Sequence, residues 1–153
     1  ILYRLVGSEM CIRDRLDWAF SKILNDVYTN APLEFLKTGK SSFYMPGMVD
    51  NEMLNPEAPG TLDFIGLNYY SRMHVKGRLN PEEPFVFDTR QQDIMTDMGY
   101  PLYAEGFYRA LKTISEVDVP IYVTENGLAD DKDIVRPLFI ERYLYALNQA
   151  LKE

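Results

Sequence analysis

The stretch PIYVTENGLAD, residues 120–130, carries a carboxylate, Glu125, at the end of a short apolar run. In α/β barrels the side chains at the carboxyl ends of the strands converge on one mouth, so a charged residue there meets a ligand rather than supporting the core. A solvated carboxylate can equally terminate a strand or cap a helix, and spacing alone does not separate the two readings. Asn126-Gly127 follows at once and permits a tight backbone reversal. Upstream, Asn68 and Tyr70 stand two apart in the run DFIGLNYYSR, residues 63–72. Strand side chains alternate with period two, so these two share a face and Tyr69 takes the other, toward helices. Taken by itself, a tyrosine in a buried strand packs in the core with its hydroxyl satisfied.

Other residue types offer less. His74 is the only histidine and has no cysteine or carboxylate cluster at ligand spacing, so it reads as a loop or surface residue and no metal site is expected. Asp130, Asp131 and Asp133 resemble an acidic metal cluster, but they precede a helical pattern, where negative charge favours the N-terminal end of the dipole. Helix capping is the expected role. Trp18 is expected to pack on the first helix, and the eleven tyrosines and eight phenylalanines are read mainly as core. No glycine-rich phosphate loop or nucleophilic serine motif is present.

The elements that must position Glu125 follow from periodicity. Leu16, Phe20, Ile23, Leu24 and Val27 step by threes and fours, predicting a helix that Pro32 and the cluster 38–42 end. Pro46, Gly47, Pro56 and Pro59 predict a long surface loop to Gly60. The run Phe64, Ile65, Leu67, Tyr69 and Tyr70 predicts a parallel strand buried on both faces. Residues 73–98 predict a loop with an extended piece around Phe85 to Phe87. Tyr103, Phe107, Leu111 and Ile114 predict a helix, residues 119–123 a second strand, and Ile140, Leu144, Leu147 and Leu151 a last helix with Pro137 near its first turn. Strands alternating with helices indicate an α/β architecture with a parallel sheet. Two such strands leave faces and edges without partners, so the pattern reads as part of something larger.

Composition narrows the function classes. With 46% hydrophobic and 25% charged residues the chain is ordinary globular material. Sixteen Lys plus Arg against twenty-three Asp plus Glu give a net charge of -7, the wrong sign for gripping nucleic acid. No run approaches the apolar length of a membrane span, and one cysteine cannot form an intrachain disulfide, so no membrane association is expected. Residues 1–15 fit neither helix nor strand nor signal peptide. Their core, LVGSEMCIRD, resembles the conceptual translation of a transposase adapter used for sequencing libraries. The natural sequence is therefore expected to start near Leu16, leaving Cys11 without significance as a thiol.

From about Leu16 onward the chain resembles glycoside hydrolase family 1, the β-glucosidases and β-galactosidases, through motifs in order. DFIGLNYYSR resembles the family's sixth barrel strand, TDMGYPLYAEGFYRAL (residues 96–111) the segment entering the sixth helix, and PIYVTENGLADD the seventh strand. The resemblance implies that residues 16–153 are part of a TIM (β/α)8 barrel, roughly helix 5 to helix 7. It implies that Glu125 is the catalytic nucleophile of a retaining β-glycosidase, that Tyr70 donates a hydrogen bond to it, and that Asn68 is a neighbouring substrate-binding residue. A small β-glycoside is the implied substrate and no cofactor is implied. The acid/base of the family comes from an Asn-Glu-Pro motif on the fourth strand; Asn51-Glu52-Met53 lacks the proline and sits in the breaker-rich segment, so Glu52 is not that group. A non-catalytic sugar-binding or signalling relative is the alternative class, against which the retained Glu125 counts. Phospho-β-glycosidases and thioglucosidases of the same family are further alternatives. Localisation rests on the family alone and is expected to be cytoplasmic; the oligomeric state is left open.

Amplifying the locus from source DNA is expected to give a different sequence upstream of Leu16. A natural transcript encoding LVGSEMCIRD would refute the adapter reading.

Overall fold

A computed structural model describes residues 12–45, 49–89 and 92–153. Cys11 and most of the adapter-like run lie outside the described residues; residues 12–15, expected to form no element, open the first helix. The chain forms two compact units. One comprises residues 62–72 and 92–153, and the other residues 12–61 and 73–89.

In the second unit, α1 (Ile12–Asn25) does not stop at Pro32. Proline has no N–H and its ring crowds the carbonyl four residues back, so the helix widens into a π turn, Asp26–Asn30. It resumes as α2 (Ala31–Thr38), with Pro32 in the first turn, where no donor is needed. Gly39, at φ 74°, ends α2 by donating its N–H to the Phe35 carbonyl at 2.8 Å. A Cβ there would run into the Asn55 carbonyl. The segment expected to be a loop up to Gly60 is instead an antiparallel hairpin, β1 (Lys40–Met45) with β2 (Val49–Leu54). Pro46 and Gly47 fall between the strands rather than within them, so the breakers do not oppose the ladder.

Residues 73–98 likewise hold more order than expected. The extended piece is β5 (Phe85–Asp88), and it pairs antiparallel with β4 (His74–Gly77), which puts His74 on a strand rather than in a loop. This hairpin packs on α1: Phe20 and Phe85 have ring centroids 5.5 Å apart, and the Gly77 N–H donates to Asp17 at 2.5 Å. Trp18, expected to pack, is half exposed.

The first unit contains β3 (Ile65–Asn68), α3 (Ala104–Ile114), β6 (Ile121–Glu125) and α4 (Arg136–Ala150). β3 and β6 pair in parallel, Ile65 opposite Ile121 through Leu67 opposite Val123. One face of the pair is covered: Tyr69, Phe107, Leu111, Phe139 and Tyr143 form a buried core with Leu67 and Ile121 against it. The expectation of burial on both faces fails, since Phe64 is 53% and Tyr122 59% exposed, stacked edge to face. On α4 the buried residues are Phe139, Tyr143 and Ala146, with Leu147 beside them. The stripe Ile140, Leu144 and Leu151 is exposed instead. Aromatic stacking decides the rotation of the helix: Phe139 and Tyr143 lie 4.1 Å apart and Tyr143 and Phe107 5.5 Å, so the large rings turn inward.

Asp130 caps α4 from outside, its carboxylate accepting from the Val135 and Arg136 N–H groups at 2.7 Å each. Partial desolvation alone would raise this carboxyl. The backbone donors of Arg136, Val135 and Ile134 outweigh it and hold Asp130 below the usual carboxylate range. Its stabilising contribution is therefore present above the ordinary carboxylate range and lost only as pH falls through the lowered folded value. Arg72 and Asp93 form a largely buried ion pair at 2.6 Å, and the Arg72 guanidinium lies 4.1 Å from the centre of the Tyr103 ring.

The open edges of the parallel pair and the exposed rings of Phe64 and Tyr122 favour association. Sedimentation of the isolated chain at micromolar concentration is expected to show species heavier than the 17.8 kDa monomer, without a sharp two-state thermal transition. A monodisperse monomer with a single cooperative transition is the contrary outcome.

Candidate active site

Regular pairing of β3 and β6 carries the chain only to Leu67 and Val123. There the register slips, and Asn68 sits opposite Glu125 with Thr124 as the extra residue. In an unbroken strand Thr124 and Glu125 would face opposite sides. A bulge turns the bulged strand and re-aims the side chains around it. Here it gives both residues partners on the same edge: the Thr124 hydroxyl donates to the Asn68 side-chain oxygen at 2.5 Å, and the Tyr70 hydroxyl donates to Glu125 Oε2 at 2.8 Å. Gly66, two residues before Asn68, leaves room for Thr124, whose Oγ1 lies 3.3 Å from where a Cβ would stand.

Asn68, Tyr70 and Glu125, singled out in the sequence, are thus gathered at the carboxyl ends of the two parallel strands. Tyr70 bonds the carboxylate and Asn68 bonds Thr124. Tyr69 points the other way, as alternation requires. Its ring is buried against Phe107 and Tyr143 and its hydroxyl donates to the Tyr103 carbonyl at 2.9 Å. Burial pushes its ionisation well above the ordinary tyrosine range.

Asn126-Gly127 does not make the expected tight reversal, and Gly127 is not among the glycines with positive φ. Asn126 acts through its side chain instead, its amide donating to the Tyr69 carbonyl at 2.6 Å. The Tyr69 N–H in turn donates to the Glu125 carbonyl at 2.9 Å, so the two strand ends are tied in both directions. The loop at residues 96–100 lines a cavity with Tyr70 and Asn126. Gly99, at φ 75°, lets its N–H reach the Thr96 carbonyl at 2.9 Å, and the Asp97 N–H donates to Ala129 at 3.0 Å. The Asp131 N–H donates back to the Asp97 carboxylate at 2.6 Å, so Asp131 meets this loop through its backbone. Tyr70, Met98, Tyr100, Asn126 and Leu128 line this open cavity of about 540 Å³. Thr124, Asn126 and the 96–100 loop were not singled out as site residues by sequence reasoning. Their adjacency to Glu125 or within a recognised motif was the available signal.

Glu52, on exposed β2, belongs to the other unit. That unit has its own open groove of about 1010 Å³ between the helices and the β1–β2 hairpin, with Asp26, Glu34, Asp50 and Glu52 on its walls.

Comparison with known proteins bears on this arrangement. The family model for Glycosyl hydrolase family 1 matches residues 11–152. A β-galactosidase of Pyrococcus woesei is 33% identical over 108 residues, covering 60% of this chain and 21% of that enzyme. The solved structure of a β-glycosidase from Pyrococcus horikoshii superimposes with a TM-score of 0.69 at 29% identity, over 92% of this chain and 31% of that one. A family 1 β-glucosidase from Thermotoga maritima, solved in complex with isofagomine lactam, gives 0.53 at 32% identity, over 63% of this chain and 24% of that one. The chain thus spans between a fifth and a third of the length of these relatives.

Electrostatics link the two side chains of the central pair. Donation to Glu125, followed by partial desolvation and the charge of Glu125 itself, raises the Tyr70 phenol above its ordinary value. Replacing the carboxylate by a neutral amide removes the charge, so in Glu125→Gln the Tyr70 titration is expected to fall back toward that of a free tyrosine. Tyrosine ¹³Cζ NMR of the folded protein, with Tyr70→Phe to assign the resonance, measures it. An unchanged titration in the amide variant would show that the pair does not exist in solution.

Proposed function

The chain belongs to glycosyl hydrolase family 1, and from that premise we propose that it carries the nucleophile half of a retaining β-glycosidase site, with Glu125 as the nucleophile. In this reading β3 and β6 take the places of the sixth and seventh strands of a (β/α)8 barrel, and the chain covers roughly helix 5 to helix 7. The observation that carries the reading is the 2.8 Å hydrogen bond from Tyr70 to Glu125 at the carboxyl ends of two parallel strands.

Retaining glycosidases use two carboxyl groups about 5 to 5.5 Å apart. One attacks the anomeric carbon while the other protonates the departing oxygen; water, deprotonated by the second group, then displaces the first from the opposite face. Glu125 takes the attacking role. The attacking carboxylate must be held still, and the Tyr70 hydroxyl holds it by donating to Oε2. Asn68, fixed by Thr124 beside it, is placed to bind a sugar hydroxyl. The acid/base is supplied by a segment of the complete enzyme outside this chain. The substrate is a small β-glucoside or related β-glycoside, and no step needs a cofactor.

A slow 2-deoxy-2-fluoro β-glycoside is expected to accumulate as an ester on Glu125 in the complete enzyme, located by peptide mass spectrometry. Glu125→Ala is expected to lose several orders of magnitude of activity, partly restored by azide with formation of the opposite anomer. Tyr70→Phe should lose roughly 10- to 100-fold, the worth of one hydrogen bond to a charged group. The 153-residue chain alone is expected to be inactive on aryl β-glucosides. Labelling at another residue, or inversion by the unmodified enzyme, contradicts the assignment.

A further inference from the structure

We propose that Tyr143, on α4, is a positioning residue for the Glu125 site, acting through the main chain of Tyr70; the inference rests on the nucleophile reading of Glu125. The last ladder bond between the strands is the Tyr69 N–H to the Glu125 carbonyl. Past that point the backbone carrying Tyr70 has left the sheet, and side chains take over. Asn126 takes the Tyr69 carbonyl, and the Tyr143 hydroxyl donates to the Tyr70 carbonyl at 3.1 Å. Tyr143 is itself held: the Tyr103 N–H, just ahead of α3, donates to its hydroxyl at 3.2 Å, and its ring lies between Phe139 and Phe107.

Packing alone does not call for a hydroxyl at this position. A phenylalanine would fill the same stack, and Tyr143 is only 3% exposed, so its oxygen incurs a desolvation cost unless it is fully bonded. It makes one bond as acceptor and one as donor, and both go to backbone groups around the site. Tyr70, by contrast, is 47% exposed. Apart from the bond to Glu125, its main chain carries much of the task of aiming it. A phenol that must hold 2.8 Å to a carboxylate depends on what holds its own main chain, and the Tyr143 hydroxyl bonds that main chain at the Tyr70 carbonyl itself. Gly106 completes the arrangement on α3, because a Cβ there would collide with the Tyr69 hydroxyl and the Tyr103 ring and lift the helix off this network.

The test is a double-mutant cycle in the complete enzyme, together with the Tyr70 ¹³Cζ resonance. Tyr143→Phe keeps the ring and removes only the hydroxyl. It is expected to lower kcat about tenfold with KM little changed, and to move the Tyr70 titration down toward that of a free tyrosine. In a Tyr70→Phe background the same substitution is expected to cost almost nothing further, since groups acting through one another are not additive. If Tyr143→Phe folds poorly, 4-aminophenylalanine at position 143 keeps the ring and a weaker donor to the Tyr70 carbonyl, and it is expected to move both readouts part of the way; unchanged readouts in that variant overturn the inference. Equal losses in the two backgrounds overturn the inference, as does a Tyr70 resonance that Tyr143→Phe leaves in place. Fluoroglycoside labelling of the wild type separates the two failures: a label away from Glu125 removes the premise, whereas a label on Glu125 with an additive cycle removes only the role of Tyr143.

Discussion

Two strands that lie parallel cannot be joined by a tight turn; the chain must leave the end of one and travel back to the start of the other. That constraint shapes the unit containing the site. Between Asn68 and Ile121 the chain has to supply a crossover, and α3 is laid along the covered face of the pair. Once a helix lies on that face, strand alternation divides the two consecutive tyrosines. Tyr69 is committed to the helices and Tyr70 to the open end of the strands, where Glu125 arrives from the neighbouring strand. The buried half of this division supplies the rigidity and the open half the chemistry, so a single dipeptide joins core to site.

Much of this was legible in the sequence because the relevant signals are local. The apolar runs of β3 and β6 and the spacing of Tyr103, Phe107 and Leu111 each arise within a few residues, and the Thr-Glu-Asn-Gly motif marks where the strand ends. What was missed depends on partners distant in sequence. β4 is four residues with little apolar character and is a strand only because β5 returns beside it. The β1–β2 hairpin was hidden by counting prolines and glycines without regard to where they fell. The rotation of α4 could not be read from leucine and isoleucine spacing, because the choice between the Ile140 stripe and the Phe139-Tyr143 stripe is made by the ring of Phe107 on another helix.

The bulge at Thr124 marks the same limit within the site. Period two placed Asn68 and Tyr70 on one side correctly, but applied to β6 it would have separated Thr124 from Glu125. One inserted residue abolishes that separation and lets adjacent residues of one strand serve alternate residues of the other. The slip is set by how two backbones pair, which no single segment encodes.

The buried ion pair between Arg72 and Asp93 holds together the two points at which the chain leaves the site-bearing unit and comes back to it. Between them, residues 73–89 belong to the other unit. A chain excursion whose mouth is stapled shut by charge is insulated from its own contents. Closing a longer loop through the same staple adds an entropy that grows only with the logarithm of its length. A change of length within this excursion is therefore nearly decoupled from the strand ends that carry the carboxylate and the phenol.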